Sequence, residues 1–550
     1  MKPFRDPLLD EALEASPVVA APARGRIRIA ALVVAIVFAG LALRATQLAF
    51  AGAPEIAELS VPAATQALGR VLDRNGTLLI GAGQGQVLVA RRELVWDAPA
   101  TARALAEVLP GLDAEALAAR LTERERGVVY VRRGLTQAQA QAALDLGLAG
   151  LSVEAEPRRV YPNGALAGQT LGYTDIDLDP LAGVELGLAQ AIAAQAEVRL
   201  SLDLRVQHAV EAELAAGAEA AGARSGAMVV LDGRTGEILA LASWPFLDPN
   251  RQGGATEEER RHHAVGARYE LGSSVKPLTF AMALDAGVLQ ANERFDTSGG
   301  VRVEDLLITD SEPAAAPIGL ETALARSSNV AAAMAALRVG GPLQTQYLQR
   351  LGFDERFEIG LPEAAAHRLA AASRATDVAA RGYGYAMLMS PLALASAYTV
   401  FVNDGRRVSL SLRPRPEAEA EYTRVFSPEA ARIVREAMAR ALPEGTGWRA
   451  ASASFGLAGK TGTARRLTAQ GTYEENRVVA SFAAVFPAAA PRFVMAVVVD
   501  EPVRGVEEGA GPTGGGVAAP IAGRAALRIA PFLGLRTAQT APVGTGEASP

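Results

Sequence analysis

A single uninterrupted apolar run near the N-terminus constrains everything that follows it in this chain. Arg24, Arg26 and Arg28 precede Ile29–Leu43, fifteen uncharged and mostly aliphatic residues. Crossing a bilayer takes about 20 such residues in a helix. The segment therefore continues past Arg44 to Phe50, with the Arg44 guanidinium snorkelling to the headgroups. No further basic residue appears before Arg70. The positive-inside rule then predicts a cytoplasmic tail at 1–28, a transmembrane helix at 29–50 and all later residues on the far side. Ala49-Phe50-Ala51 offers the small residues of a signal-peptide cleavage site. Four acidic residues before position 15, and Arg44 between the apolar run and that site, favour a retained anchor instead. No second apolar run approaches that length without a charge, so a single membrane crossing is expected.

At 550 residues the chain exceeds one ordinary domain. Half of it is hydrophobic and 21% charged, which supports a large core and excludes wholesale disorder. The net charge of −6 is spread without a basic run, which argues against nucleic-acid binding. The absence of cysteine excludes disulfides, thiolate nucleophiles and Cys-ligated metals. With only His208, His262, His263 and His367 as histidines, no metal or other cofactor is expected.

Between 51 and 200 the pattern is mixed. Arg70–Leu79 reads as two short strands around Asn75-Gly76, residues 100–150 as Ala/Leu-rich amphipathic helices, and Tyr161-Pro162-Asn163-Gly164 as a turn. Nothing there clusters polar residues for chemistry, so a spacer or docking module is expected. From 201 the signals strengthen. Leu204–Ala221 is an amphipathic helix, and Ala227–Asp232 and Glu237–Ser243 form a hairpin. Helical stretches occupy about 274–288, 319–338 and 390–403. Strand-like runs follow at Phe455–Ala464, Val478–Phe486 and Phe493–Asp500, then a helix at Val517–Ile529. Strands at both ends with helices between them suggest an α+β domain, an antiparallel sheet flanked by helices. Residues 535–550 are polar and expected to be a disordered tail.

Lysine usage points to the chemistry. Of 54 basic residues only Lys2, Lys276 and Lys460 are lysines, and the other 51 are arginines. Codon bias explains the arginines, but two internal positions keep a side chain that, unlike Arg, loses its proton when buried. Lys276 follows Ser273 by three residues at the start of a predicted helix, which puts both on one face. A serine hydroxyl beside a neutral lysine is a nucleophile–base pair. Lys460 lies in Gly459-Lys460-Thr461-Gly462-Thr463. A phosphate-binding loop would need glycine at 454, where the chain has Ser454, and a following helix, where the pattern is strand-like.

Ser273-x-x-Lys276, then Ser327-Ser328-Asn329, then Lys460-Thr461-Gly462, in that order, resembles penicillin-binding proteins and serine β-lactamases. Ser201–Gln207, Thr235–Ser243, Phe246–Asn250, Gly382-Tyr383-Gly384, Ser390–Ala395 and Val499–Pro502 look like a class B transpeptidase domain. Asp73-Arg74-Asn75-Gly76 and Tyr161–Gly164 look like its pedestal. The resemblance runs from about 25 to 534 and is greatest to the division-specific septal type, with the elongation-specific type as runner-up. Two departures stand out. Glu270-Leu271-Gly272-Ser273 replaces the family's Glu-Pro-Gly-Ser, and only about fifteen residues separate Gly183-Val184-Glu185 from Ser201.

The resemblance implies a penicillin-binding transpeptidase domain at 201–534 on an elongated α+β pedestal at 51–200, behind the membrane helix and with a periplasmic active site. It implies that Ser273 attacks the D-Ala-D-Ala carbonyl of a peptidoglycan stem peptide and that Lys276 takes its proton. Ser327 would relay a proton to the leaving D-alanine, and Asn329 would orient Lys276 and substrate. The N–H groups of Ser273 and Thr463 would form the oxyanion hole. Lys460, Thr461 and Thr463 would hold the terminal carboxylate, and Gly462 would leave room for the backbone to approach. Implied partners are stem peptides on lipid-linked or nascent strands, β-lactams, a membrane glycan polymerase and other division proteins, with no metal. A non-catalytic β-lactam sensor or divisome scaffold is the alternative of another class. Its mark would be a broken motif, and all three are intact.

Overall fold

The computed structural model describes residues 69–535 other than 124–126, 452–454 and 469–470, together with Leu32 and Ala39. The chain divides into two units, 1–64 and 65–550, and the second carries all the architecture described below. The expected tail at 1–28, membrane helix at 29–50 and tail at 535–550 lie outside the described residues, apart from Leu32, Ala39 and Leu535. Among the described residues no helix is long and apolar enough to cross a membrane.

The N-terminal part is built on the strand β2 (Leu78–Arg91), which pairs along its length with three others. The Asn75-Gly76 turn joins it to β1 (Arg70–Leu72), as the sequence suggests, with Gly76 at φ +90°. Further along, β2 pairs with β3 (Val128–Leu135) and β4 (Leu151–Val160), and β5 (Glu197–Arg199) adds to β1 in parallel. Three helices, α1 (Ala98–Val108), α2 (Ala114–Thr122) and α3 (Gln137–Asp145), pack on the β2–β3 end. Leu105, Leu117, Val129 and Ala143 belong to the separate small core of that end. At the other end Val71, Ile80, Tyr161 and Val198 join the main core of the C-terminal part. The turn motifs read from sequence sit at this joint. The Asp73 carboxylate accepts from the N–H groups of Asn75 (2.8 Å), Thr77 (2.7 Å) and Leu204 (3.2 Å). Arg159 and Glu185 form a buried bidentate pair at 2.7 and 3.0 Å, and Tyr161 Oη donates to the same carboxylate.

The C-terminal part centres on a five-stranded antiparallel sheet: β6 (Ser225–Asp232), β7 (Ile238–Trp244), β8 (Ala458–Leu467), β9 (Tyr473–Phe486) and β10 (Phe493–Asp500). Its order is β8-β9-β10-β6-β7, so β8 is an edge. Both faces are covered. Along β10 the residues Val494, Ala496 and Val498 face one core, and Met495, Val497 and Val499 the other. That is why these strands read as continuous apolar runs.

One face packs on α4 (Leu204–Ala221), which starts at the Asp203 cap and ends at the left-handed Gly222, and on α10 (Ala519–Ile529). The other face carries α5 (Lys276–Asp285), α6 (Leu320–Ala325), α7 (Asn329–Val339), α8 (Pro391–Tyr398) and α9 (Pro428–Glu444). The run predicted as one helix at 319–338 is two, α6 and α7, broken at Arg326–Ser328 with Ser327 at φ +56°.

Candidate active site

The three sequence motifs meet at the free edge of β8. Ser273 lies in a tight helical turn, Gly272–Val275, that leads directly into α5. Pro277 sits in the first turn of α5, where its missing N–H costs nothing. The turn is held from several sides. Leu271 O accepts from the hydroxyls of Ser274 and Ser481, each at 2.9 Å. Tyr398 Oη donates to Ser274 O at 2.6 Å, and Gly272 N–H donates to Gly384 O at 3.1 Å. Gly272 has φ +55°, and a Cβ there would lie 2.7 Å from Thr463 O. The family's proline is absent here, and the Leu271 side chain packs into the main core instead. Glu270, three residues before Ser273, is buried and accepts from Ala386 N–H (2.7 Å) and Tyr473 Oη (3.1 Å).

On β8 alternate residues address different partners. Arg465 N–H donates to Tyr385 Oη at 3.2 Å, away from β9, and the Thr463 carbonyl faces Gly272. Residues 461, 463 and 465 therefore turn their peptide groups to the free edge, which presents the Thr463 N–H beside the nucleophile turn. Gly462 faces the core of the turn, where a Cβ would meet Leu271 O at 2.2 Å and Ser481 Oγ at 2.4 Å. Only glycine fits that approach. Thr463 is half-buried and its Oγ1 accepts from Gly514 N–H at 3.0 Å, while Thr461 is buried.

Lys276 is fully buried. Its Nζ donates to the Ser327 carbonyl and, at 3.1 Å, to Ser327 Oγ. The Lys276 amine thus reaches the middle motif rather than Ser273, whose hydroxyl is half-buried and carries no hydrogen bond among the described residues. Burial pushes Lys276 well below the usual lysine value, the charge of Lys460 adds to this, and Asp310 opposes it. Lys460, 3% exposed, is pushed down by burial to about 7, and its Nζ donates to Thr461 O at 3.0 Å and Thr461 Oγ1 at 3.3 Å. A serine with an uncommitted hydroxyl, a buried lysine whose hold on its proton is weakened and a free strand edge with outward N–H groups together suit acyl transfer.

Sequence reasoning missed the residue that shapes the middle motif. The Asp310 carboxylate accepts from Asn329 N–H (2.6 Å), Val330 N–H (3.0 Å) and Ser328 Oγ (2.6 Å). It caps α7 and holds Ser327 in its left-handed conformation at the helix break, the kind of strain that collects at functional sites. A lone aspartate in a loop 17 positions before Ser327 has no pattern to betray it. Thr446, in Gly445-Thr446-Gly447, was also missed, and its Oγ1 lies 2.5 Å from Thr461 Oγ1.

The chain matches two family models, the penicillin-binding protein transpeptidase domain at 226–526 and the penicillin-binding protein dimerisation domain at 67–185. It is 37% identical over 488 residues to the probable peptidoglycan D,D-transpeptidase FtsI of Caulobacter vibrioides, covering 86% of this chain and 82% of that one. It is 32% identical over 524 residues to the probable peptidoglycan D,D-transpeptidase PenA of Neisseria meningitidis, covering 87% and 88%. With the peptidoglycan D,D-transpeptidase FtsI of Escherichia coli it shares 28% identity over 509 residues, covering 85% and 84%. Among solved structures it resembles penicillin-binding protein 3 of Mycobacterium tuberculosis complexed with aztreonam, with a TM-score of 0.66 at 23% identity over 85% of this chain and 96% of that one. That last likeness concerns the fold, whereas the family models and the 37% identical relative establish kinship: the chain belongs to the penicillin-binding protein transpeptidases of class B, a dimerisation domain followed by a transpeptidase domain.

Proposed function

We propose that this protein is a serine-type peptidoglycan D,D-transpeptidase that cross-links stem peptides at the division septum and is acylated by β-lactams. The observation that carries the reading is the meeting of Ser273, the buried Lys276, the Ser327–Asn329 turn and the Lys460–Thr463 strand at one edge of one sheet. The septal assignment follows the FtsI relatives.

Ser273 Oγ attacks the carbonyl carbon between the two terminal D-alanines, and its proton passes to Lys276 Nζ. The N–H groups of Ser273 and Thr463 hold the oxyanion. Ser327 Oγ, within hydrogen-bond reach of Lys276 Nζ, passes that proton to the leaving nitrogen as the C–N bond breaks and D-alanine departs. An amine of a neighbouring stem peptide then attacks the Ser273 ester, forms the cross-link and returns the proton to Ser273. Asn329 orients the substrate amide, Lys460, Thr461 and Thr463 bind the terminal carboxylate, and Gly462 lets the two backbones approach.

In this reading residues 1–28 are cytoplasmic, 29–50 anchor the chain in the inner membrane, 51–200 form the pedestal, 201–534 form the periplasmic transpeptidase domain and 535–550 form a tail. The Arg24, Arg26 and Arg28 cluster ahead of Ile29–Leu43 supports that orientation. A membrane glycan polymerase and other division proteins are its partners. Mass spectrometry of the intact protein after benzylpenicillin, with Ser273→Ala as control, tests the chemistry. An adduct on wild type alone is expected; an unmodified wild type sinks the proposal. Depletion followed by microscopy tests the role, with filaments expected and rounded cells pointing to elongation.

A further inference from the structure

We infer that Thr446 is a positioning residue for carboxylate recognition: it donates its hydroxyl proton to Thr461 Oγ1, leaving the Thr461 proton for the substrate. The inference rests on the proposed role of Thr461 and Thr463 in holding the terminal carboxylate.

A threonine hydroxyl has one proton to give and two lone pairs to receive with, while a carboxylate only accepts. Each of the two strand threonines must therefore have its proton uncommitted when the carboxylate arrives. At Thr463 this is settled by chemistry. Its Oγ1 receives the Gly514 N–H at 3.0 Å, and a backbone N–H never accepts, so the Thr463 proton stays available. At Thr461 the neighbours are Lys460 Nζ at 3.3 Å and Thr446 Oγ1 at 2.5 Å. If Thr461 gives its proton to Thr446, nothing remains for the carboxylate. If Thr446 is the donor, Thr461 matches Thr463, and because residues i and i+2 share a strand face both protons point to the same side. Once a carboxylate binds both threonines, only Thr446 as donor leaves every group paired.

The turn that carries Thr446 is fixed where it can do this. Gly445 lies so close to α6 that a Cβ would meet Ala325 O at 2.6 Å, and the Thr446 carbonyl lies 2.3 Å from where a Gly515 Cβ would be. Thr446 thus bridges the helix leading to Ser327, the strand bearing Thr461 and the Gly514 turn that serves Thr463. It is solvent-exposed, and when its hydroxyl is removed the buried Thr461 Oγ1 still accepts from Lys460 Nζ at 3.3 Å, so the variant folds.

The test compares two thioester substrates, an N-acyl-D-alanyl thioglycolate and its methyl ester, followed by thiol release. Thr446→Val should lower kcat/KM for the carboxylate substrate about five- to tenfold, the range of one neutral hydrogen bond. It should leave the ester within about twofold, and Thr446→Ser should restore the carboxylate rate. A structural defect slows both substrates alike, so equal losses overturn the inference, as does an unchanged carboxylate rate or a serine variant as slow as valine. Wild type that releases no thiol and forms no Ser273 adduct overturns the proposed function itself, and the inference with it. Wild type that is active and favours the carboxylate, beside a valine variant that behaves like it, overturns the inference alone.

Discussion

Replacing Asp310 by asparagine separates two jobs that one carboxylate performs. Structurally, it terminates α7 by accepting from Asn329 N–H, Val330 N–H and Ser328 Oγ. Asparagine keeps one acceptor oxygen but turns an amide donor toward Ser328 Oγ, which already accepts Ala331 N–H at 3.0 Å. It also removes a negative charge from a helix N-terminus, worth up to about 2 kcal/mol in a partly buried geometry. With the weakened bond to Ser328 the total is about 2–3 kcal/mol, which for a domain of roughly 330 residues lowers Tm by about 3–4 °C. Electrostatically, Asp310 holds the Lys276 proton affinity up against burial and Lys460. Without that charge, neutral Lys276 persists to lower pH. In the proposed mechanism the base form of Lys276 carries acylation, so the acid limb of kcat/KM for penicillin acylation moves to lower pH in Asp310→Asn even while the plateau falls about tenfold, equivalent to about 1.4 kcal/mol of misplaced Ser327 and Asn329. The assay is stopped-flow acylation between pH 5 and 9 on both proteins, with thermal unfolding beside it. A slower variant whose acid limb stays in place, or moves up, refutes the electrostatic part. An unchanged Tm refutes the capping part.

Other perturbations follow from the same geometry. Lys276→Arg places a permanently charged group there that cannot act as a base, so labelling by a fluorescent penicillin should be abolished; a near-normal rate would rule out Lys276 as the base. Glu211, buried on α4, accepts from Ala167 N–H (2.8 Å) and Gln207 Nε2 (2.7 Å), and burial pushes its carboxyl up to about 7. Its folded pKa lies above its unfolded one, so the stability it contributes is full below about pH 4.5 and is lost as pH rises through 7. Glu211→Gln should therefore stabilise the protein relative to wild type at pH 8 by about 3 kcal/mol and much less at pH 5. Equal effects in denaturant unfolding at the two pH values would contradict the buried-carboxyl reading.

What the sequence made legible depended on how local the signal was. Helix α4 and strand β10 stand at Leu204–Ala221 and Phe493–Asp500 as expected, because a one-faced helical pattern repeats along the first and burial on both faces runs the length of the second. Strand β8 begins and ends three residues later than expected, and β9 begins five residues earlier, since an edge strand feels one neighbour and its ends follow the turn between them. Helix α9 was overlooked although seventeen residues long, hidden behind Pro428 and Pro443, one of which starts it and one of which lies in its last turn. The break between α6 and α7 falls at the Ser327–Asn329 motif, which reads from sequence as lying between two helical stretches even though the Ala-rich run at 319–338 reads as helical throughout; the Asp310 carboxylate, distant in sequence, caps the second helix. The motif serines and lysines were recognisable by order and spacing. Their supports, Asp310, Thr446, Tyr398 and Gly514, come from four separate loops and helices, and no periodicity connects them.

The two internal lysines make a final prediction about pH. Lys460 titrates near 7, brought down by burial, and its charge helps keep Lys276 neutral. Below pH 7 Lys460 is charged, which favours both the neutral base and a bound carboxylate. Above it that charge fades, and carboxylate binding should weaken even though Lys276 stays competent. KM for a carboxylate-bearing thioester should therefore rise as pH climbs through about 7, while KM for its methyl ester stays flat. The same shift has a stability counterpart. Unfolding restores the ordinary lysine value, so the unfolded chain binds an extra proton between pH 7 and 10.5 and wild type loses stability as pH falls through that window. Lys460→Met carries no such linkage and should gain about 4–5 kcal/mol on wild type between pH 10.5 and 7. Parallel KM profiles for acid and ester, or a methionine variant whose stability tracks wild type across that range, would mean that Lys460 stays charged in the folded protein and that burial does not govern this pair.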